Sequence, residues 1–168
     1  MGEKAADAAG VADNFGTLKG EYNERAAELK EKYAETTENA TFAAATLYDN
    51  TEQGSFNREY SGSFITNIPE DVGIDFPGGG DEFSQLVSME NNSDLDEADV
   101  ILVSTNADSS IRDPRFEKEV TSTDAWKKLP AVEKGNLLKV PYLMSTTYAG
   151  AIEALDALDE QLEGLDVE

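Results

Sequence analysis

Residues Val100-Ile101-Leu102-Val103-Ser104-Thr105 constrain this 168-residue chain more than any other stretch. An uninterrupted apolar run, rich in β-branched residues and without period-two alternation, must be covered on both faces, as in the interior of a parallel sheet. The remaining sequence offers the layers to do this. Thr41–Tyr48 is a second short apolar run that ends in the turn chemistry of Asp49–Ser55, while Phe83–Val87 and Asn136–Val140 read as two further strands. Tyr22, Ala26, Leu29 and Tyr33 recur at helical spacing and predict an amphipathic helix ending near Thr36; Ile152, Leu155, Leu158 and Leu162 predict another from Thr147 onward. Between these, Ser61–Val72 reads as a helix closed by Gly73. Ser88 reads as the N-cap of a helix running to about Glu97, and Arg115–Leu129 as helical in two pieces. Gly10, Gly16 and Gly20 cut an Ala- and Glu-rich opening into one or two helices, and Gly164–Glu168 reads as a frayed end.

Strands alternating with helices predict an α/β fold: a single Rossmann-like lobe with a parallel sheet of about four or five strands flanked by helices, preceded by connecting helices. The expected division is a helical connecting segment over residues 1–36 and the α/β lobe over 37–168.

Composition then removes whole classes of function. Thirteen Lys plus Arg against 35 Asp plus Glu give a formal net charge of −22, which repels phosphate backbones, so nucleic acid is not an expected partner. Without Cys or His the chain has no thiolate or imidazole for a zinc site or a Ser-His or Cys-His nucleophile pair. Gly78-Gly79-Gly80 precedes Asp81 and Glu82 where a phosphate loop would supply Lys and Ser or Thr. Asp94, Asp96, Glu97 and Asp99 lack the order of a calcium loop and read as a solvated acidic surface, so neither a metal nor a cofactor is expected. Asn39-Ala40-Thr41 and Asn91-Asn92-Ser93 match the short glycosylation tripeptide, a pattern common by chance.

Three blocks in fixed order carry a resemblance. Trp126-Lys127-Lys128-Leu129-Pro130-Ala131-Val132-Glu133-Lys134-Gly135 precedes the last strand. Val87-Ser88-Met89-Glu90 is followed by Asp99-Val100-Ile101. Ser63–Gly73 is followed by Ile74-Asp75-Phe76-Pro77. Over residues 41–163 this resembles the C-terminal lobe of bacterial iron-siderophore and cobalamin substrate-binding proteins of ABC importers. The resemblance implies a two-lobed receptor, membrane-anchored as a lipoprotein and extracytoplasmic, that holds a ferric siderophore between its lobes and delivers it to an ABC permease without making or breaking a bond. These residues have room for one lobe plus the inter-lobe helical segment, and the lipid-attachment Cys and signal sequence of such receptors are not among them. A piece of a longer receptor, lacking its N-terminal lobe, is therefore expected. The alternatives are an acidic flavodoxin-like enzyme using Asp, Glu or Ser, and a cytosolic interaction domain.

In a parallel α/β sheet the ligand face lies beyond the carboxyl ends of the strands. Tyr48, Ser104-Thr105-Asn106 and Met144–Tyr148 fall there, and the Ser55–Tyr60 loop leads into the first sheet-packed helix. An anionic ferric chelate calls for Arg and for aromatic rings. Arg58 with Tyr60, Tyr48 with Tyr148, and Asn106 are the candidate ligand residues, with Arg112 and Arg115 in reserve. The plainer possibility is that the tyrosines cap the core and Arg58 pairs with Glu59 or Glu52; Trp126 is read as core. The resemblance assigns Glu90 to docking on the permease, whereas its place after Ser88 equally suits a carboxylate at a helix N-terminus.

Overall fold

The computed structural model describes residues 12–90, 92–165 and 167. The first elements are α1 (Ala12–Lys32), α2 (Ala34–Asn39), β1 (Phe42–Thr46), β2 (Ser55–Glu59) and α3 (Asn67–Asp71). They are followed by β3 (Ser84–Ser88), β4 (Val100–Thr105), a π-type turn at Phe116–Val120, α4 (Asp124–Lys127), α5 (Pro130–Lys134), β5 (Leu137–Pro141) and α6 (Tyr148–Leu162). Five strands form one sheet in the order β3-β2-β1-β4-β5. β1 runs parallel to β4, with Phe42 opposite Val100, and β4 runs parallel to β5. β2 and β3 add an antiparallel extension beside β1.

β1 and β4 are buried at every position. Their alternate side chains feed two cores. Phe42, Ala44, Val100 and Leu102 meet the buried stripes of α1 and α6, including Tyr22, Ala26, Leu29, Tyr33, Leu155 and Leu158. Ala43, Ala45, Ile101 and Val103 share the other core with Phe56, Phe116 and Trp126. Those three rings meet edge-on at 5.3–6.3 Å, the arrangement their quadrupoles favour. Trp126, 2% exposed, is a core residue as expected. Three consecutive alanines are poor strand formers. Full burial of β1 overrides that preference, and their small side chains leave room for the large rings on the Trp126 side.

Polar contacts join α1 to α6. Arg25 binds Asp156 and Asp159 at 2.8 Å each, Lys32 binds Asp159 at 2.7 Å and Glu163 at 2.6 Å, and the Tyr33 hydroxyl donates to Asp159 at 2.5 Å. The Tyr22 hydroxyl adds a 2.6 Å bond to Asp71 on α3. Tertiary packing of this kind, more than propensity, holds a helix together. It explains why α1 runs unbroken through Gly16 and Gly20, where glycine's low helix propensity predicts breaks; Gly10 lies outside the described residues.

Other expectations are corrected. Ser55–Glu59 is a strand, not a loop: Ser-Phe-Asn-Arg-Glu hides its pairing because only one residue is apolar. Helix in the Ser61–Val72 region is confined to Asn67–Asp71. Gly62 sits at φ 83°, and the Thr66 hydroxyl donates to the Tyr60 carbonyl at 3.0 Å, so local turns replace the first helical turns. Ser88 closes β3, and the helix expected after it is a single 3-10 turn, Ser93–Leu95. At the chain's end Leu165 and Val167 pack against the core rather than fray; Asp166 and Glu168 lie outside the described residues.

Asp159 is the centre of the latch. Burial pushes its carboxyl pKa up, but Lys32, Tyr33 and Arg25 outweigh this and hold it down at about 2. A carboxylate depressed on folding stabilises above its unfolded pKa and loses that contribution as pH falls through the folded value. Asp159→Asn should therefore lower the unfolding free energy at neutral pH by about 1–2 kcal/mol, and the gap from the parent should close between roughly pH 4 and pH 2. Urea titrations across that range measure it.

Candidate functional site

The three parallel strands all terminate on one edge, at Thr46, Thr105 and Pro141. Past β4 the segment Asn106-Ala107-Asp108-Ser109-Ser110 folds into a tight loop. Asn106 N–H donates to Ser110 O at 2.9 Å, the Ser110 hydroxyl donates to Asp108 at 2.6 Å, and Ser109 takes φ 65°. Asn, Asp and Ser suit such a loop because their side chains bond nearby backbone. The loop returns the chain to β4, where Arg112 N–H donates to Ser104 O at 3.1 Å, and so fixes Arg112 on the carboxyl edge.

Arg112 lies between two open hollows. One, about 370 Å³, is lined by Leu47, Tyr48, Asp49 and Asp113–Arg115; the other, about 330 Å³, by Ser104–Ala107, Tyr142, Met144 and Ser145. A third hollow of about 530 Å³ adjoins the first through Tyr48 and carries Phe64 and Phe83 on its walls. Together they form a groove. The first two open on the sheet end with Arg112 as a shared wall, and the third leads from Tyr48 back alongside β2 to Glu59 and Ser84, away from that end. The Arg112 guanidinium donates to the Met144 thioether and makes no ion pair with any described residue.

The other three arginines are committed elsewhere. Arg25 belongs to the α1–α6 latch, and Arg115 grips Asp113 at 2.5–3.2 Å while donating to the Tyr48 carbonyl at 2.9 Å. Hydrogen bonds from Arg115 hold the Asp113 carboxyl below the usual carboxylate range. Arg58 is only 4% exposed and donates to the carbonyls of Glu59 at 2.6 Å and Ala44 at 3.4 Å, with its charge 4.9 Å from the Tyr60 ring centre. Burial lowers its pKa.

The structure thus separates the predicted ligand residues. Tyr48 and Asn106 stand on the carboxyl edge. Tyr48 is half-buried, and burial, followed by the neighbouring Glu59 carboxylate, raises its hydroxyl pKa. Arg58 and Tyr60 do not reach this edge, because β2 is antiparallel and its later residues recede from the end of β1, with Glu59 opposite Ala44. Tyr60 is 7% exposed and donates to Gln85 at 2.9 Å. Gly78 and Gly79 fold over its ring, where an added Cβ would come within 2.7 and 2.5 Å, which explains the glycine run. Tyr148 opens α6 and packs its ring 5.3 Å from Phe15 and 5.6 Å from Tyr22, in a separate hollow of about 750 Å³ that meets the groove at Ser145. Glu90 is exposed in the turn after β3, whose last residue pairs with Ser55 and so lies toward the same edge. With no α-helix starting at Ser88, a helix dipole does not account for Glu90.

The sequence offers Arg112 only as a reserve ligand residue and puts Met144 on the carboxyl edge without a role, and it gives Phe64 and Phe83 no place in a site. The Asn-Asp-Ser loop ahead of Arg112 was a usable signal. Nothing in the sequence marks Phe64: in a helix over Ser61–Val72 its spacing with Ile65, Ile68 and Val72 suits the buried face, yet it is 76% exposed.

The family model for periplasmic binding proteins matches residues 3–142. The chain belongs to the periplasmic binding protein family. It is 28% identical to a siderophore periplasmic binding protein from the fuscachelin gene cluster of Thermobifida fusca, with a TM-score of 0.84 over 98% of this chain and 60% of that one. It is 27% identical over 164 residues to a probable siderophore-binding lipoprotein, YfiY, of Bacillus subtilis strain 168, covering 94% of this chain and 50% of that protein. A periplasmic binding protein component of a Fep/Fec-like ferrichrome ABC transporter from Bacillus subtilis shares the fold, with a TM-score of 0.72 at 16% identity, over 98% of this chain and 62% of that one. The chain spans about half to three fifths of the length of these proteins. Membership of a family of binding proteins bears out the resemblance in the sequence and sets aside the enzyme alternative. Among the described residues no helix is long and apolar enough to cross a membrane, and no group of three or more acidic side chains is arranged to hold a metal ion.

Removing a core cation and removing an edge cation should have different consequences. Arg58→Ala strands buried carbonyls and should cost about 1–3 kcal/mol of stability, whereas Arg112→Ala should shift it by less than about 0.5 kcal/mol. Thermal melts of the two variants side by side check this.

Proposed function

We propose that this chain is the C-terminal lobe of the substrate-binding component of an ABC importer for ferric siderophores. Residues 1–36 form the inter-lobe connecting segment and 37–168 the lobe itself. The observation that carries the reading is Arg112, an arginine without a carboxylate partner, held on the carboxyl edge between Tyr48 and Met144 in a chain of net charge −22. Two relatives at 27–28% identity named for siderophore binding support the ligand class. The guanidinium would pair with the anionic oxygens of the chelate, Tyr48 would stack on its rim, and Asn106 would hydrogen-bond from the far side of Arg112. The ferric chelate is cargo, and its iron stays in the siderophore's own ligand cage.

The whole receptor would close an N-terminal lobe over this groove, and a lipid anchor would keep it outside the cytoplasm, as the word lipoprotein in one relative's name suggests. Glu90, exposed toward the same edge, would meet a basic residue of the permease, a contact that sets docking orientation more than stability.

One lobe offers about half the contacts of a closed cleft, so a nanomolar affinity for the whole becomes micromolar to millimolar for this chain alone. Calorimetric titration with an anionic ferric chelate should fall in that range. Arg112→Ala should weaken it about tenfold or more, the effect of removing a charge-assisted hydrogen bond. Tight nanomolar binding by this chain, or unchanged affinity in the variant, would overturn the assignment.

Docking has its own test in a full-length receptor. Glu90→Ala should leave chelate affinity and melting temperature nearly unchanged while reducing uptake, and Glu90→Arg should reduce uptake further through like-charge repulsion. Normal uptake by both variants rules the contact out.

A further inference from the structure

The hollow beyond Tyr48 differs in chemistry from the rest of the groove. Its walls are Phe64 and Phe83, 76% and 62% exposed, together with Tyr48 and the backbone at Gly62. An added Cβ at Gly62 would lie 3.0 Å from the Phe83 ring, so this glycine also lets Phe83 lie close against the chain. Glu59 also lines it and is 1% exposed. Its carboxylate accepts from the Ser84 hydroxyl at 2.7 Å, and its charge acts on the neighbouring Tyr48 hydroxyl. Asn57 donates to Ser84 at 3.0 Å, Thr51 donates to Asn57 at 2.6 Å, and Tyr48 N–H donates to Thr51 at 2.8 Å. This chain of neutral groups fixes the carboxylate and Tyr48 relative to one another. No lysine or arginine side chain forms an ion pair with Glu59 among the described residues.

The buried Arg58 acts on this carboxylate only at longer range, its guanidinium being spent on the carbonyls of Glu59 and Ala44; a buried carboxylate with no direct ion pair is costly, and a cation bound beside it repays part of that cost. Aromatic faces around it favour the same sign of charge. Tyr48 is the wall shared between this hollow and the one that holds Arg112, so the groove is polarised: a guanidinium in one part, and a carboxylate in an aromatic-walled hollow in the other. We propose that the Glu59 hollow takes a cationic arm, an alkylammonium or guanidinium group, of the bound molecule. That the rest of the molecule is a ferric chelate rests on the function proposed above.

Two titrations separate these ideas. The 168-residue chain in 0.15 M salt, which screens the general field of its acidic surface, is titrated with n-butylammonium and with neutral n-butanol, following the ring resonances of Tyr48, Phe64 and Phe83. The ammonium should bind about tenfold more tightly than the alcohol, and Glu59→Gln should erase the difference. Equal binding of the two probes, or a preference that survives Glu59→Gln, overturns the proposal, the latter by assigning the attraction to overall charge. If Glu59→Gln does not fold, Phe64→Ala and Phe83→Ala, both at exposed positions, should each weaken the ammonium several-fold, and unchanged binding in both overturns it. The second titration compares a ferric trihydroxamate bearing a free terminal ammonium with its N-acetylated form. The free amine should bind about tenfold more tightly to the parent chain. Equal affinities overturn the cationic-arm proposal and leave the siderophore reading intact. Binding of neither chelate, with the n-butylammonium response preserved, overturns the siderophore reading and upholds the hollow as a cation site.

Discussion

Burial of β1 and β4 on both faces is the constraint from which the rest of the structure follows. A strand with no polar face must have a layer on each side, and the two sides are closed by different means. One is covered by the long helices α1 and α6, whose apolar stripes meet Phe42, Ala44, Val100 and Leu102. The other is closed by short helical segments that carry Phe116, Trp126 and Leu129 over Ala43, Ala45, Ile101 and Val103. Because both faces are occupied, the accessible ends of these strands are where polar function can be placed. The carboxyl edge is where β1, β4 and β5 all release their loops.

Charge is distributed over this frame with economy. An excess of 22 negative charges makes each positive group consequential, and the four arginines divide by packing. Arg25 joins two helices, Arg58 satisfies carbonyls inside the sheet extension, and Arg115 holds a loop through Asp113 and Tyr48. Arg112 alone among them keeps its guanidinium on the edge without a carboxylate among the described residues. A local positive spot in an acidic protein is selective for an anion at that place, since the surrounding field repels anions elsewhere.

The groove is shallow and open, as one wall of a cleft is expected to be. Its lining combines few charges with exposed rings, and Phe64, Phe83 and Tyr142 stand in solvent at 76%, 62% and 41% exposure. Phe64 and Phe83 share one hollow and Tyr142 lines another. The relatives, which are about twice as long or somewhat less, accord with a second wall.

Much of this was legible in the residues themselves. The double-faced run at Val100–Thr105, the Tyr22-Ala26-Leu29-Tyr33 stripe and the Leu155-Leu158-Leu162 face report burial directly, because hydrophobic periodicity is a local consequence of which side faces the core. Block order carried the family resemblance, and Tyr48 and Asn106 could be placed on the edge because each lies within two residues of the end of a parallel strand. Strand direction was not legible: Ser-Phe-Asn-Arg-Glu carries no signal that it pairs antiparallel to β1, and that one fact moved Arg58 and Tyr60 into the interior. Nor could residue spacing show which arginines find carboxylates, since Arg25 meets Asp156 and Asp159 across 131 and 134 residues. Pairing, burial of Glu59 and exposure of Phe64 depend on which distant segments arrive beside them, and only the tertiary structure decides that.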